Sequence, residues 1–262
     1  MESESSSHPG LAYITVPPLK KHTATVIFAH GIGESGHVWK PFAQQLQSST
    51  STLQHTKWIL LHAPKRLVTV KDKIAMMPSW FNTKDAIEMT AEAEPQLLEI
   101  IYALNKLVEA EMVDSGLDST RIFLGGVGQG GVAVIGAGLA IEKKLGGLIV
   151  LSATLPLKFQ LKEMLSSYAK QLPIFWSIGS AEPLNNLRSA REGVEFLTTL
   201  GFLISSGSVT EARELKSGSL PKGILFNVYR GIGHATNKEE LDSLTMWLNN
   251  LCQEMNQHLE HL

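Results

Sequence analysis

Hydrophobic positions along the chain follow two alternating patterns, short apolar runs and longer segments with helical spacing. Several runs are continuously apolar instead of alternating with polar residues, which is typical of parallel strands covered on both faces of a sheet. The predicted strands are Ala12–Val16, Thr25–Ala29, Trp58–His62, Ile122–Leu124, Leu148–Leu151, Ile174–Ile178 and Leu225–Tyr229.

Helices are predicted between these strands. The second one begins near Gln129, and the last begins at Thr236, which forms a capping-box pattern with Glu239. Their apolar stripes, spaced by three or four residues, are Leu97, Ile101, Leu104 and Val108, then Val132, Ile135 and Leu139, then Leu241, Leu244, Leu248 and Leu251. This alternation predicts an α/β fold with a mostly parallel central sheet flanked by helices on both faces.

The chain length of 262 residues suits one large α/β domain. We expect this domain to span residues 11–252. Residues 1–10 are acidic and serine-rich and are expected to be a disordered N-terminal tail, and residues 253–262 a C-terminal tail. The Gly-, Ser- and Lys-rich segment 205–223 is expected to be a surface insertion.

Composition and charge exclude several partners. A formal net charge of -2 gives no indication of nucleic-acid binding. No window approaches the ~18 apolar residues that a membrane span needs. The N-terminus lacks the pattern of a secretory signal, and Cys252 is the sole cysteine, so a cytoplasmic location is expected. The nine histidines lack metal-ligand spacing, and neither a metal nor another cofactor is expected.

Ligands of such sheets bind at the carboxyl ends of the strands, so the residues that follow strands are the informative ones. The glycine-rich segment His30–Gly36 follows the second strand. It can turn backbone N–H groups into a cleft, and Ile32 is then the candidate oxyanion donor. The alternative is a tight turn between a strand and a helix, without a catalytic role.

A second segment, Gly125–Gly131, lies between a strand and a helix, which is the setting of a nucleophile elbow, G-x-S-x-G. Gly126 and Gly130 occupy the outer glycine positions. The central position is Gly128, which has no side chain and cannot attack a carbonyl group. The backbone N–H of Gln129 can still serve as an oxyanion donor. A glycine-rich packing turn is the alternative interpretation.

Two further polar residues follow the last two predicted strands. Glu182 comes after Ile174–Ile178, and His234 comes after Leu225–Tyr229. An acid followed by a histidine matches the chain order nucleophile, acid, histidine of α/β-hydrolases. In that arrangement the acid fixes the imidazole tautomer and stabilises its protonated form.

From about Thr23 to Leu251 the sequence resembles the acyl-protein thioesterases and related phospholipase/carboxylesterases of the α/β-hydrolase superfamily. The motifs that carry the resemblance are VIFAHGIGESGHVW (Val26–Trp39), HAP (His62–Pro64), MPSWF (Met77–Phe81), RIFLGGVGQGG (Arg121–Gly131), GSAEPL (Gly179–Leu184) and YRGIGH (Tyr229–His234). The family is expected to hydrolyse acyl thioesters or oxygen esters, of small molecules or of acylated proteins, through an acyl-enzyme and without a cofactor.

The resemblance implies roles for individual residues. His234 matches the general base, and Glu182 stands where the family has aspartate. Gly128 stands where the family has its nucleophilic serine, which is a severe departure.

The same resemblance also implies a binding site for the acyl group. Ile32 and Gln129 match the oxyanion-hole positions. Trp80 matches a tryptophan beside the acyl site, and Gly31 is assigned to substrate binding.

Three hypotheses remain open for a chain without the serine. It is a pseudoenzyme that binds an acyl ligand or partner, or an isomerase, lyase or cyclase that uses His234 as general base with the oxyanion hole. The third hypothesis is an active esterase in which Gly128 was introduced as a nucleophile knock-out.

Overall fold

The computed structural model describes residues 10–70, 73–82, 93–205, 223–233 and 236–260. The strands within these ranges are β1 (Ala12–Val16), β2 (Ala24–Ala29), β3 (Thr56–His62), β4 (Lys65–Val70), β5 (Lys73–Pro78), β6 (Ile122–Val127), β7 (Gly147–Leu151), β8 (Ile174–Gly179), β9 (Ile204–Ser205) and β10 (Ile224–Tyr229). The helices are α1 (Gly36–Ser49), α2 (Ala93–Ser115), α3 (Gln129–Ala140), α4 (Lys158–Met164), α5 (Leu184–Thr199) and α6 (Lys238–Glu260).

Eight strands form the central sheet in the order β1-β3-β2-β6-β7-β8-β10-β9. Only β1 runs antiparallel to its neighbour β3; the other neighbouring strands are parallel. The prediction of a mostly parallel sheet is therefore confirmed, and all seven predicted strands are present with ends shifted by at most a few residues.

Helices cover both faces of the sheet. Since side chains alternate along a strand, each central strand contributes to two separate cores. On β2, Ile27 belongs to the core under α2, α3 and α5, whereas Phe28 belongs to the core under α1 and α6. This double burial explains why the central strands are continuously apolar in sequence.

The hairpin formed by β4 and β5 was not predicted. Leu67 pairs with Met76 on its exposed face, while Val68 is buried on the other face. Lys65, Arg66 and Thr69 limit the apolar run of β4 to two residues, and in the short apolar run of β5 Ile74 and Met76 are exposed. The two-residue strand β9 is too short to give any periodic signal.

The start of α6 differs from the prediction by one residue. The backbone N–H of Glu240 donates to the Asn237 side-chain oxygen at 2.8 Å, so Asn237 caps the helix. The capping box predicted from Thr236 and Glu239 is therefore wrong by one position.

The end of α6 also differs. The segment predicted as a tail from residue 253 onward is helical as far as Glu260. The Arg121 guanidinium donates to the Asn256 side-chain oxygen at 2.9 Å and to the Met255 carbonyl, which ties this part of the helix to the domain. The predicted N-terminal tail, apart from Gly10, and the interior of the predicted insertion 205–223 lie outside the described residues.

Candidate active site

The turn from β6 into α3 has the backbone of a nucleophile elbow. Gly128 has φ 52° and ψ −121° and is the N-cap of α3. Its N–H donates to the Leu151 carbonyl on β7 at 3.0 Å, and its own carbonyl accepts from Val132 at 3.0 Å. Residues with side chains rarely adopt this conformation, except where a strained turn presents a functional group. The backbone at Gly128 is thus compatible with the predicted elbow, and its role as the family's nucleophile position stays a prediction.

The two outer glycines of the elbow are required by close packing. A Cβ on Gly126 would lie 2.5 Å from the Gly130 carbonyl carbon, and a Cβ on Gly130 would lie 2.1 Å from the Ala29 carbonyl oxygen. Both distances are far inside van der Waals contact. These glycines allow α3 to start directly against the end of β2.

The glycine-rich segment after β2 lies beside this elbow, since Ala29 pairs with Gly126 in the sheet. The Glu34 carboxylate accepts from the Gly31 N–H at 3.0 Å and from the Trp39 indole N–H at 2.7 Å. The Gly31 N–H therefore donates to Glu34, and the predicted role of Gly31 in substrate binding stays a prediction.

Two backbone N–H groups at this edge of the sheet have no acceptor among the described residues. They belong to Ile32, which is half-buried on the glycine-rich segment, and to Gln129, the first residue of α3. The first N–H groups of a helix have no partner within the helix, so a bound anion or carbonyl oxygen can accept from them. The geometry is compatible with a two-donor oxyanion hole.

The first residue of the glycine-rich segment is a buried histidine. His30 donates from Nδ1 to the Gly31 carbonyl at 2.6 Å and accepts the Ala63 N–H on Nε2 at 3.0 Å. These two bonds require a neutral imidazole with its proton on Nδ1. Burial lowers the pKa of His30 below 6.5, which agrees with the neutral form.

Trp80 is fully buried at 0% exposure. Its indole N–H donates to the His30 carbonyl at 2.7 Å, and its backbone N–H donates to the Gln129 side-chain oxygen at 3.1 Å. In this conformation the ring packs behind the glycine-rich segment. That it lines an acyl pocket, as the resemblance implies, stays a prediction.

The side chain of Gln129 links the elbow to the tryptophan segment, which consists of Ser79, Trp80 and Phe81. Its amide oxygen also accepts from the Ser79 hydroxyl at 3.0 Å, and its amide nitrogen donates to the Phe81 carbonyl at 2.8 Å. Sequence reasoning assigned Gln129 only a backbone role. Its side chain connects two motifs that are far apart in the chain, which no local pattern reveals.

The predicted acid, Glu182, lies on the loop after β8 and is 5% exposed. Its Oε2 accepts from the Asn186 side-chain amide at 3.2 Å. Asn186 lies in the first turn of α5, so a helix start holds the carboxylate in place.

The loop that carries Glu182 is tied to the loop after β10. Ala181 N–H donates to the Ile232 carbonyl at 2.9 Å, and the Gly231 N–H donates to the Ser180 hydroxyl at 3.0 Å. These bonds bring the chain up to Gly233 against the acid loop. His234, the predicted base, lies outside the described residues.

No strong replacement for the missing serine is found among the described residues. Burial raises the pKa of Cys252 to about 12, and this thiol lies in the core between the sheet and α6. Ser35 is at the N-cap position of α1 without a side-chain capping hydrogen bond, and Ser152 follows β7 with φ 47°. In the described ranges, neither hydroxyl hydrogen-bonds to a carboxylate or an imidazole that could activate it.

Among the residues that the structure describes, no group of three or more His, Cys, Asp or Glu side chains could hold a metal ion. None of the described helices is both long and apolar enough to cross a lipid bilayer.

One residue of this region was missed by sequence reasoning. Glu240 in the first turn of α6 is buried and accepts from the Ser177 hydroxyl on β8. In the sequence it is one of two adjacent glutamates, Glu239 and Glu240, and nothing local distinguishes the buried one from the exposed one.

The sequence of this chain from residue 12 to residue 252 matches the family model described as phospholipase/carboxylesterase. The chain belongs to this family. The phospholipase/carboxylesterase relatives include acyl-protein thioesterase 1 of Cryptococcus neoformans var. neoformans serotype D, 37% identical over 91% of this chain and 96% of that protein. Acyl-protein thioesterase 1 of Neurospora crassa is 32% identical over 90% of this chain and 89% of that protein.

Solved structures show the same fold. Arabidopsis thaliana SOBER1 matches with a TM-score of 0.72 and 24% identity, over 87% of this chain and 99% of that one. Zea mays acyl-protein thioesterase 2 matches with a TM-score of 0.64 and 23% identity, over 91% and 98% of the two chains. The predicted α/β-hydrolase fold is confirmed, as is the family resemblance.

Proposed function

We propose that this protein binds an acyl ester or acyl thioester in the site of the phospholipase/carboxylesterase family without hydrolysing it through a serine acyl-enzyme. The observation that carries the proposal is Gly128, which occupies the centre of the elbow with the backbone of a nucleophile position and no side chain. Loss of a triad serine costs on the order of 10⁶ in turnover in a serine hydrolase.

The proposal assigns the oxyanion hole to the backbone N–H groups of Ile32 and Gln129. Two such donors stabilise a carbonyl oxygen that carries partial negative charge. Without a hydroxyl at position 128, the elbow presents no nucleophile to the carbonyl carbon. A bound acyl ligand would be polarised and held, but no covalent intermediate would form.

The remaining roles follow the family pattern. We assign His234 as the base and Glu182 as the acid that orients it, and Trp80 and Gly31 to the acyl-binding wall. The ligand class is proposed from the relatives, which are acyl-protein thioesterases, and comprises acylated proteins or small acyl esters in the cytoplasm. No cofactor is needed for this role.

A second candidate is a non-covalent enzyme in which His234 acts as general base beside the oxyanion hole. The observation in its favour is that Glu182 remains buried and held by Asn186, although the serine is absent. A base and two N–H donors suffice for proton abstraction next to a carbonyl group.

The test measures turnover of p-nitrophenyl esters with short and medium acyl chains and of an acyl-CoA. Four proteins are compared, the unmodified chain, Gly128→Ser, Gly128→Ala and Gly128→Ser with His234→Ala. We expect turnover from Gly128→Ser alone. Gly128→Ala is the matched control, since it adds a Cβ without a hydroxyl.

Binding by the unmodified chain is measured in parallel by calorimetry with the same esters. Binding without turnover supports the acyl-binding role. Hydrolysis of these esters by the unmodified chain, abolished in a fifth protein that carries His234→Ala alone, would refute it. Absence of both binding and rescue would show that the site has lost its acyl specificity.

A further inference from the structure

A second buried carboxyl group lies next to the acid of the candidate site. Glu240, in the first turn of α6, is 5% exposed, like Glu182. Its Oε1 accepts from the Ser177 hydroxyl at 2.5 Å, and its backbone N–H bonds to the Asn237 cap at 2.8 Å. Ser177 is itself fully buried on β8, the strand that leads into the Glu182 loop.

This contact joins two parts of the site that are far apart in the chain. The hydrogen bond spans 63 residues in sequence. On one side is the strand whose end presents Glu182, and on the other is the helix that begins four residues after His234. The bond therefore fixes the start of α6 against β8.

The surroundings of Glu240 disfavour its charge. Burial raises its pKa above 4.5 and outweighs the hydrogen bonds at Ser177 and Asn237, which favour the charged form; the carboxylate of Glu182 adds to the rise. The Tyr229 hydroxyl on β10, whose pKa burial raises to about 12, also interacts with the Glu240 carboxyl, whereas Glu239 on the same turn is exposed. The described cations are not among the causes that shift its pKa.

We propose that Glu240 is a positioning residue of the candidate site, a neutral buried carboxyl that ties the start of α6 to β8, the strand that leads to Glu182. A neutral carboxyl can accept from Ser177 without adding a second negative charge near Glu182. Two ionised carboxylates in one buried site would repel each other and raise the pKa of the base. The positioning role rests on the proposed function, whereas the neutral state of Glu240 does not.

The neutral state is tested by stability without any ligand. Because the pKa of Glu240 is raised in the folded protein, the folded state binds the extra proton and stability falls as pH rises above 4.5. The side chain at position 240 cannot titrate in Glu240→Gln. As pH rises, the free energy of unfolding of this variant in urea should therefore increase relative to that of the unmodified chain. Glu239→Gln, on the same turn but exposed, should show no such relative gain. Parallel pH curves for the unmodified chain and Glu240→Gln would overturn the neutral state.

The positioning role is tested in the Gly128→Ser background. Glu240→Ala and Ser177→Ala should each lower kcat on the order of tenfold or more, because small misplacements of catalytic groups are costly. Glu240→Gln keeps the side-chain shape and the oxygen that accepts from Ser177. It should retain most of the kcat of the Gly128→Ser protein and the same pH profile of kcat. Equal kcat for the Gln and Ala variants at position 240 would overturn the role.

If Gly128→Ser shows neither turnover nor acyl binding, the proposed function fails. NMR of the His234 imidazole in the unmodified chain then decides the positioning role separately. The imidazole resonances should shift in Glu240→Ala and return in Glu240→Gln. Unchanged resonances in Glu240→Ala would overturn the positioning role.

Discussion

The indole N–H of Trp80 donates to the carbonyl oxygen of His30 at 2.7 Å, across 50 residues of sequence. The two rings lie 5.2 Å apart between centroids. This bond joins the tryptophan segment to the glycine-rich segment whose Ile32 N–H is the proposed oxyanion donor. The position of that donor therefore depends on a buried side chain from another part of the chain.

Trp80→Phe should destabilise the protein beyond the effect of its smaller ring. It leaves the His30 carbonyl without the indole donor in a buried place, at a cost of about 1–3 kcal/mol. Trp58→Phe is the matched control, because Trp58 is equally buried and its indole N–H has no acceptor within the described residues. Urea unfolding of both variants measures the difference. Equal losses would show that the hydrogen bond contributes nothing.

Adding a side chain at the elbow should lower stability. Gly128 has φ 52° and ψ −121°, where a Cβ costs about 1–3 kcal/mol. Gly128→Ala and Gly128→Ser should therefore each lose stability by this amount in urea unfolding, although only the serine variant is expected to gain turnover. A serine variant that is as stable as the unmodified chain would contradict the proposed strain.

Acidification should destabilise the protein through His30. Burial holds its pKa below 6.5, so the unfolded chain takes up the proton first as pH falls. Stability should then decrease from about pH 6.5 downward until the lowered pKa of the folded state is reached. His30→Gln should lack this part of the decrease, although His22, whose pKa is also lowered by burial, still contributes to it.

An NMR titration of the His30 imidazole in the unmodified chain provides an independent check. It should give a pKa below 6.5 and show the proton on Nδ1. A titration at or above 6.5 would contradict the buried neutral form.

The single thiol should be inert in the native protein. Burial raises the pKa of Cys252 to about 12, so almost no thiolate exists at pH 8. Ellman's reagent should react with this thiol only after unfolding in urea. Fast reaction in the native protein would contradict this and make Cys252 a candidate nucleophile.

Sequence alone determined the alternation of strands and helices, because parallel strands buried on both faces are continuously apolar. It also located the elbow and the absence of a nucleophile at Gly128, since both follow from the order of glycines between one strand and one helix. The candidate acid, Glu182, was found in the same way from its place after a strand. These are local properties, and each can be recognised within about ten residues.

Tertiary structure alone decided what connects these segments. The hairpin of β4 and β5 has only one buried face and carries charges, so its periodicity was too weak to predict. The bonds from Gln129 to the tryptophan segment, and from Glu240 to Ser177, join residues 48 to 63 positions apart. Such contacts depend on how the sheet stacks its strands and where each helix starts, and the local sequence of either partner carries no sign of the other.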